Sequence, residues 1–130
     1  MAECVPAPGQ GIIAVEVRDG DAATATIVAS INDRVSGIAL EAERAVVRRL
    51  GGGCQMPIGA YAQVRDLSIS VKAVGVSADG ARAVSAQIDG RADEPEAAGD
   101  AAAEQLLASG AREILAEVER QQAAVEGLQP

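Results

Sequence analysis

Glu41-Ala42-Glu43-Arg44-Ala45-Val46-Val47-Arg48-Arg49-Leu50-Gly51-Gly52-Gly53-Cys54-Gln55-Met56-Pro57-Ile58-Gly59-Ala60 is where the chain changes period, from helical to alternating. On its N-terminal side, a helix is expected from about Ser36 to Leu50. At 100° per residue, Glu41, Arg44 and Arg48 share one polar face, while Ile38, Ala39, Leu40, Ala42, Ala45, Val46, Val47 and Leu50 form a broad apolar arc. Glu43 falls inside that arc, where a charge is costly unless satisfied. It either reaches the edge or caps a nearby backbone group, or it makes a fixed salt bridge to another domain. Three glycines then stop the helix and leave Cys54 free of crowding side chains. Pro57 biases Met56 towards an extended conformation and fixes the exit.

Beyond Pro57 the period is two. Ile58, Ala60, Ala62 and Val64 alternate with Gly59, Tyr61 and Gln63. Leu67, Ile69, Val71 and Ala73 alternate with Ser68, Ser70 and Lys72, and Val84, Ala86 and Ile88 alternate with Ser85, Gln87 and Asp89. These are three strands. The first two are joined at Arg65-Asp66 and the next two by a turn around Asp79-Gly80, so the short connections predict an antiparallel meander with one apolar face. A polar loop, Gly90 to Glu96, leads to two helices, about Ala97 to Ser109 and Ala111 to Glu126. Gly110 separates them, and Ile114, Leu115, Val118, Gln122 and Val125 fall at helical spacing.

Working back from Ser36, Asn32-Asp33 closes a short helix, Ala22 to Ile31, for which Asp21 is an N-cap candidate. Ahead of it, Gly11 to Arg18 reads as a strand with a continuous apolar start, suited to burial on both faces. Pro6 and Pro8 make the first ten residues an extended lead-in. The expected fold class is α+β: a three-stranded antiparallel sheet covered by helices, preceded by a strand-helix arm. The arm is residues 1–32 and the helix-covered domain is residues 33–130. The arm's strand finds no partner in this order.

The chain has 130 residues, 48% of them hydrophobic, but a single aromatic, Tyr61, so its core must be built from Ala, Val, Ile and Leu. Its net charge of -8 argues against nucleic acid, which calls for clustered Lys and Arg and stacking aromatics. No apolar run is long enough to span a membrane and no secretory leader is visible, so a cytoplasmic location is expected. With no His and only Cys4 and Cys54, a zinc site is not credible, and two thiols are expected instead of a disulfide. Gly9-Gln10-Gly11 lacks a third glycine and precedes its strand, and Gly51-Gly52-Gly53 lacks the Lys of a phosphate loop, so neither predicts nucleotide binding. Asp93, Glu94 and Glu96 read as a solvated loop.

The run Ala42-Glu43-Arg44 through Gly52-Gly53-Cys54-Gln55-Met56-Pro57-Ile58-Gly59-Ala60 resembles the porphobilinogen deaminase (hydroxymethylbilane synthase) family at its cofactor-bearing cysteine. Pro6-Ala7-Pro8-Gly9-Gln10-Gly11 resembles that family's segment before the last strand of its first domain. Gly110-Ala111-Arg112-Glu113-Ile114-Leu115 is similar to its final helix. The resemblance implies a transferase of haem, porphyrin and tetrapyrrole biosynthesis, which condenses four porphobilinogen units head-to-tail with loss of ammonia. It implies that the arm completes the family's first domain and that residues 33–130 are the third, cofactor-anchoring domain. It places the catalytic aspartate and the substrate-binding arginines in parts not present here. Met56 stands where the family usually has Val.

On composition and spacing, Cys54 is either a reactive thiol or a small buried apolar residue. Glycine-loop amides favour thiolate, whereas the C-terminal end of the preceding helix disfavours it. The resemblance makes it the attachment point of a dipyrromethane through a thioether, with Gly52 and Gly53 beside it. The resemblance also sets Gln10 at a domain junction near that cofactor; the alternative for Gln10 is a plain turn residue. No catalytic residue is expected in the fragment, which should be inactive alone and without cofactor. The expected partners are the missing domains of the parent enzyme, the growing pyrrole chain, and a second copy through self-association of the arm. The competing reading from another class is a free-standing, non-enzymatic interaction module that retains the fold.

Overall fold

The computed structural model describes residues 4–51 and 56–126, apart from the side chains of residues 122 and 124–126. Its elements are α1 (Ala22–Ala29), α2 (Arg34–Arg49), β1 (Ile58–Arg65), β2 (Ser68–Val76), β3 (Ala83–Arg91), α3 (Pro95–Leu106) and α4 (Arg112–Glu126). A wide π-type turn, Leu107–Ala111, joins α3 to α4, and Gly110 within it takes φ +103°. That conformation favours glycine and ends one helix before the next begins.

The strands form one antiparallel sheet in the order β1-β2-β3. Tyr61 pairs with Lys72 and Lys72 with Gln87, while Ala60, Ala73 and Ala86 form the next row on the opposite face. The period-two pattern therefore sorts polar from apolar side chains as expected. Ala60, Ala62, Ile69, Val71, Ala73 and Ala86 are buried under α2 and α3 and meet Ala42, Val46, Leu50, Ala102, Ala103 and Leu106 there. The result is an α+β layer, with one sheet face covered by helices. Ile114, Leu115 and Val118 of α4 are buried too, so the helical spacing read from the sequence is a packing face.

The starts of α2 and α3 fall slightly earlier than the sequence suggests. The Asp33 carboxylate accepts the Ser36 amide at 2.8 Å, so α2 begins at Arg34. Pro95 is the first residue of α3 and not part of the preceding loop, because a proline at that position gives up no helical hydrogen bond.

The strand expected at Gly11–Arg18 is not formed. Residues 12–18 carry no ladder, Ile13 is 90% exposed and Val15 is 52% exposed. Apolar continuity predicts burial, but a strand exists only with a partner's backbone, and no described segment lies alongside. The short helix does form, capped by Asp21, whose side chain accepts from the Thr24 amide at 3.0 Å. No residue of α1 is buried.

Candidate functional site

Helix α2 ends with Leu50 N–H donating to the Val46 carbonyl at 3.1 Å and Gly51 N–H to the Arg48 carbonyl at 3.2 Å. Gly51 takes φ +70°, a left-handed helix terminus that a glycine reaches without strain. Beyond residue 55, Ile58 N–H donates to the Met56 carbonyl at 2.8 Å, and Val76 N–H to the Pro57 carbonyl at 3.1 Å. The exit is thereby tied to the end of β2. Cys54, Gly52 and Gly53 lie outside the described residues. Among the described residues, a side chain placed on Gly51 would meet nothing within 4 Å.

The charge inside the apolar arc has an internal explanation. Glu43 is 5% exposed. Its Oε1 accepts the Ala62 amide at 2.8 Å and its Oε2 accepts the Gly9 amide at 2.6 Å. It therefore caps backbone groups, and no ion pair involves it among the described residues. Amides from two separate segments meet the two carboxylate oxygens, which matches the reading of Glu43 as a cap for nearby backbone groups. Two such bonds satisfy a carboxylate that burial would otherwise penalise.

Gln10 sits in the turn that Glu43 holds. Its backbone N–H donates to the Ala7 carbonyl at 3.0 Å, and its side-chain Oε1 accepts the Ala7 amide at 3.2 Å. The carboxamide oxygen thus closes the turn, while the residue itself is exposed. The segment just before it runs along the edge of β1, where Ala60 N–H donates to the Pro6 carbonyl at 3.0 Å. Gly59 permits this approach, since a Cβ there would stand 2.8 Å from the Val5 carbonyl oxygen. Neither this contact nor the role of Gly9 was read from the sequence. The signal available for Gly59 was a glycine inside an alternating strand, which marks a close backbone neighbour.

A groove of about 470 Å³ lies beside Gly51, between the end of α2 and the corner from α3 into α4. Leu50, Leu107 and Leu115 form its apolar part. Arg49, one of its two arginines, is paired with Glu104 through Nε at 2.6 Å, so it is not a free guanidinium for a carboxylate ligand. Cys4 is exposed and free. Among the described residues no helix is long and apolar enough to cross a membrane.

Residues 38–108, from within α2 to the α3–α4 corner, match the family model described as porphobilinogen deaminase, C-terminal domain. The chain belongs to the porphobilinogen deaminase family. It is 45% identical over 124 residues to the porphobilinogen deaminase of Moorella thermoacetica, covering 95% of this chain and 40% of that protein. The Desulforudis audaxviator porphobilinogen deaminase is 45% identical over 118 residues, covering 91% of this chain and 38% of the relative. For that of Thiobacillus denitrificans the figures are 42% over 115 residues, 88% and 38%. The chain thus spans about two fifths of the length of these curated relatives. The porphobilinogen deaminase match runs through the junction between α2 and β1, so the cysteine stretch falls inside the matched region.

Proposed function

We propose that the chain is the cofactor-anchoring C-terminal part of a hydroxymethylbilane synthase, the transferase that joins four porphobilinogen units head-to-tail with loss of ammonia. The observation that carries this reading is the match over residues 38–108, which spans the helix-to-strand junction holding the chain's one glycine-flanked cysteine. The residues around that junction suit the group. A thioether to dipyrromethane needs a thiol that bulky side chains do not crowd, and three glycines, Gly51, Gly52 and Gly53, precede Cys54 in the sequence. Cys54 would hold it, with Gly52 and Gly53 alongside and Gln10 near by; when bound, it supplies the primer from which the pyrrole chain grows.

The protein's own contribution is attachment. Anchoring through Cys54 makes each addition intramolecular, and the resulting effective concentration is the physical reason for a tether. Helix α2 precedes the cysteine stretch, and the Val76 N–H to Pro57 carbonyl bond follows it. The arm, residues 1–32, completes the sheet of another domain. Its exposed Ile13 and Val15, and an α1 without a buried residue, support that reading. The residues that deaminate porphobilinogen belong to the remainder of the enzyme, so this chain alone is inactive and its Cys54 is a free thiol. The enzyme acts in the cytoplasm.

The test is complementation. The N-terminal three fifths of the Moorella thermoacetica relative are supplied, fused or in trans, and bilane formation is measured. Activity that is abolished by Cys54→Ser supports the anchoring role. A folded complex without activity, or full activity in the Cys54→Ser variant, contradicts it.

A further inference from the structure

Glu43 lies on α2, but its two acceptor oxygens serve neither that helix nor its neighbour α3. One takes an amide of β1, 19 residues further on, and the other takes Gly9, 34 residues earlier. The Ala62 amide lies on the outer edge of the sheet, as does that of Ala60, which is taken by the Pro6 carbonyl. A three-stranded sheet exposes such edge groups unless something covers them. Here the cover is the Val5–Gln10 segment, and Glu43 is the side chain that fastens it. Three further contacts fit the segment to its place. Gly59 leaves room for the Val5 and Pro6 carbonyls, at 2.8 and 3.1 Å from where a Cβ would be. At Gly9, with φ +75°, the Leu40 Cδ1 atom is 3.1 Å from a Cβ position. The third is internal: Gln10 closes the turn through Ala7.

We propose that Glu43 is a positioning residue. By binding the Gly9 amide it locks the Val5–Gln10 turn onto the edge of β1, fixing both the direction in which Gln10 is presented and the point from which the arm leaves the domain. The functional weight of this rests on the reading above, in which Gln10 lies near the anchored dipyrromethane. Gln10 Oε1 is taken by the Ala7 amide, and among the described residues no partner takes its Nε2–H groups, so they can serve as donors. A carboxylate is required at position 43. Glutamine offers one acceptor oxygen and one NH₂, so it keeps one of the two amide bonds and sets a donor against the other amide.

Amide hydrogen exchange measured by NMR on this chain tests the lock without any cofactor, so its failure is separate from failure of the anchoring role. In Glu43→Gln, the amides of Ala7, Gly9 and Gln10 should exchange at least tenfold faster. The Gln10 carboxamide signals should move towards free-glutamine values, while Val71 and Ala73 in the central strand stay protected. Gly59→Ala pushes on the Val5 and Pro6 carbonyls from the other side and leaves Glu43 intact. It should release the same turn amides while Ala62 remains protected. The proposal is overturned if Glu43→Gln leaves the turn amides and the Gln10 signals unchanged, or accelerates Val71 and Ala73 to the same extent, which would mark a merely structural role. If Glu43→Gln does not fold, Gly59→Ala decides, and protected Gly9 with unmoved Gln10 signals counts against the lock.

Discussion

Gly99 of α3 faces Ala42 of α2 so closely that a Cβ at position 99 would stand 2.2 Å from the Ala42 carbonyl oxygen and 2.7 Å from the Ala45 Cβ. Backbone therefore meets backbone at the crossing of the two helices that cover the sheet. Helix propensity alone favours Gly99→Ala by about 1 kcal/mol. The clash is with a main-chain carbonyl that cannot rotate away, so the variant is expected to lose about 1–3 kcal/mol instead. Urea unfolding followed by circular dichroism gives the sign; a raised midpoint would show that the helices can separate at little cost.

Leu106 is one of the largest side chains with no solvent exposure, in a core otherwise rich in alanine. Small neighbours cannot reach far into a void, so Leu106→Ala should cost about 2–5 kcal/mol. Leu67, in the turn between β1 and β2, is 88% exposed. Leu67→Ala should stay within about 0.5 kcal/mol of the parent. Equal losses in the two variants, read from the same unfolding curves, would contradict the placement of the core.

Asp33 gives the start of α2 a pH dependence. The Ser36 hydroxyl, and then its amide, hydrogen-bond the carboxylate and hold it below its ordinary value of 3.8. A depressed folded-state value means that the stabilisation is present above 3.8 and is lost as pH falls through the lower folded value. Stability should therefore rise with pH across that window. Asp21, Asp79 and Asp93 are shifted in the same direction, so Asp33→Asn should flatten only part of the slope. Thermal melts between pH 2 and pH 5 measure it; a slope identical to the parent's would remove Asp33 as a contributor.

The arm carries exposed Ile13, Val15, Ile27 and Ile31, and among the described residues its segment 12–18 joins no strand ladder. Such a segment is a template for pairing, and exchange between two copies is a low-cost way to occupy it. Sedimentation at micromolar concentration should show self-association of the intact chain and a monomer when Ile13, Val15, Ile27 and Ile31 are replaced by serine, which leaves Val5–Gln10 on the β1 edge. Two monomers would exclude the arm as a self-association element.

Periodicity made the scaffold legible. Val46 and Ala42 at helical spacing, and Ile69, Val71 and Ala73 at alternate positions, point into the core because each pattern reflects the local geometry of its own element. The charge at Glu43 was visible as an anomaly on its helix. What satisfied it was not, because Gly9 and Ala62 are brought there only by tertiary packing. Gly99 hides its reason in the same way, since a glycine in a helical pattern does not say which backbone it approaches. The run Ile12-Ile13-Ala14-Val15 shows the converse. Its composition favours a strand, but pairing depends on a second segment that composition cannot provide. For the site, the glycines and cysteine were plain in the sequence, whereas the fastening of the Gln10 turn depended on three separate elements.

The most direct test of the anchoring role is the mass of the Cys54-containing peptide from an active complex between this chain and the N-terminal part of a relative. A dipyrromethane adduct is expected on that peptide, absent from the Cys54→Ser complex and from this chain produced alone. An active complex whose Cys54 peptide has the unmodified mass would contradict it.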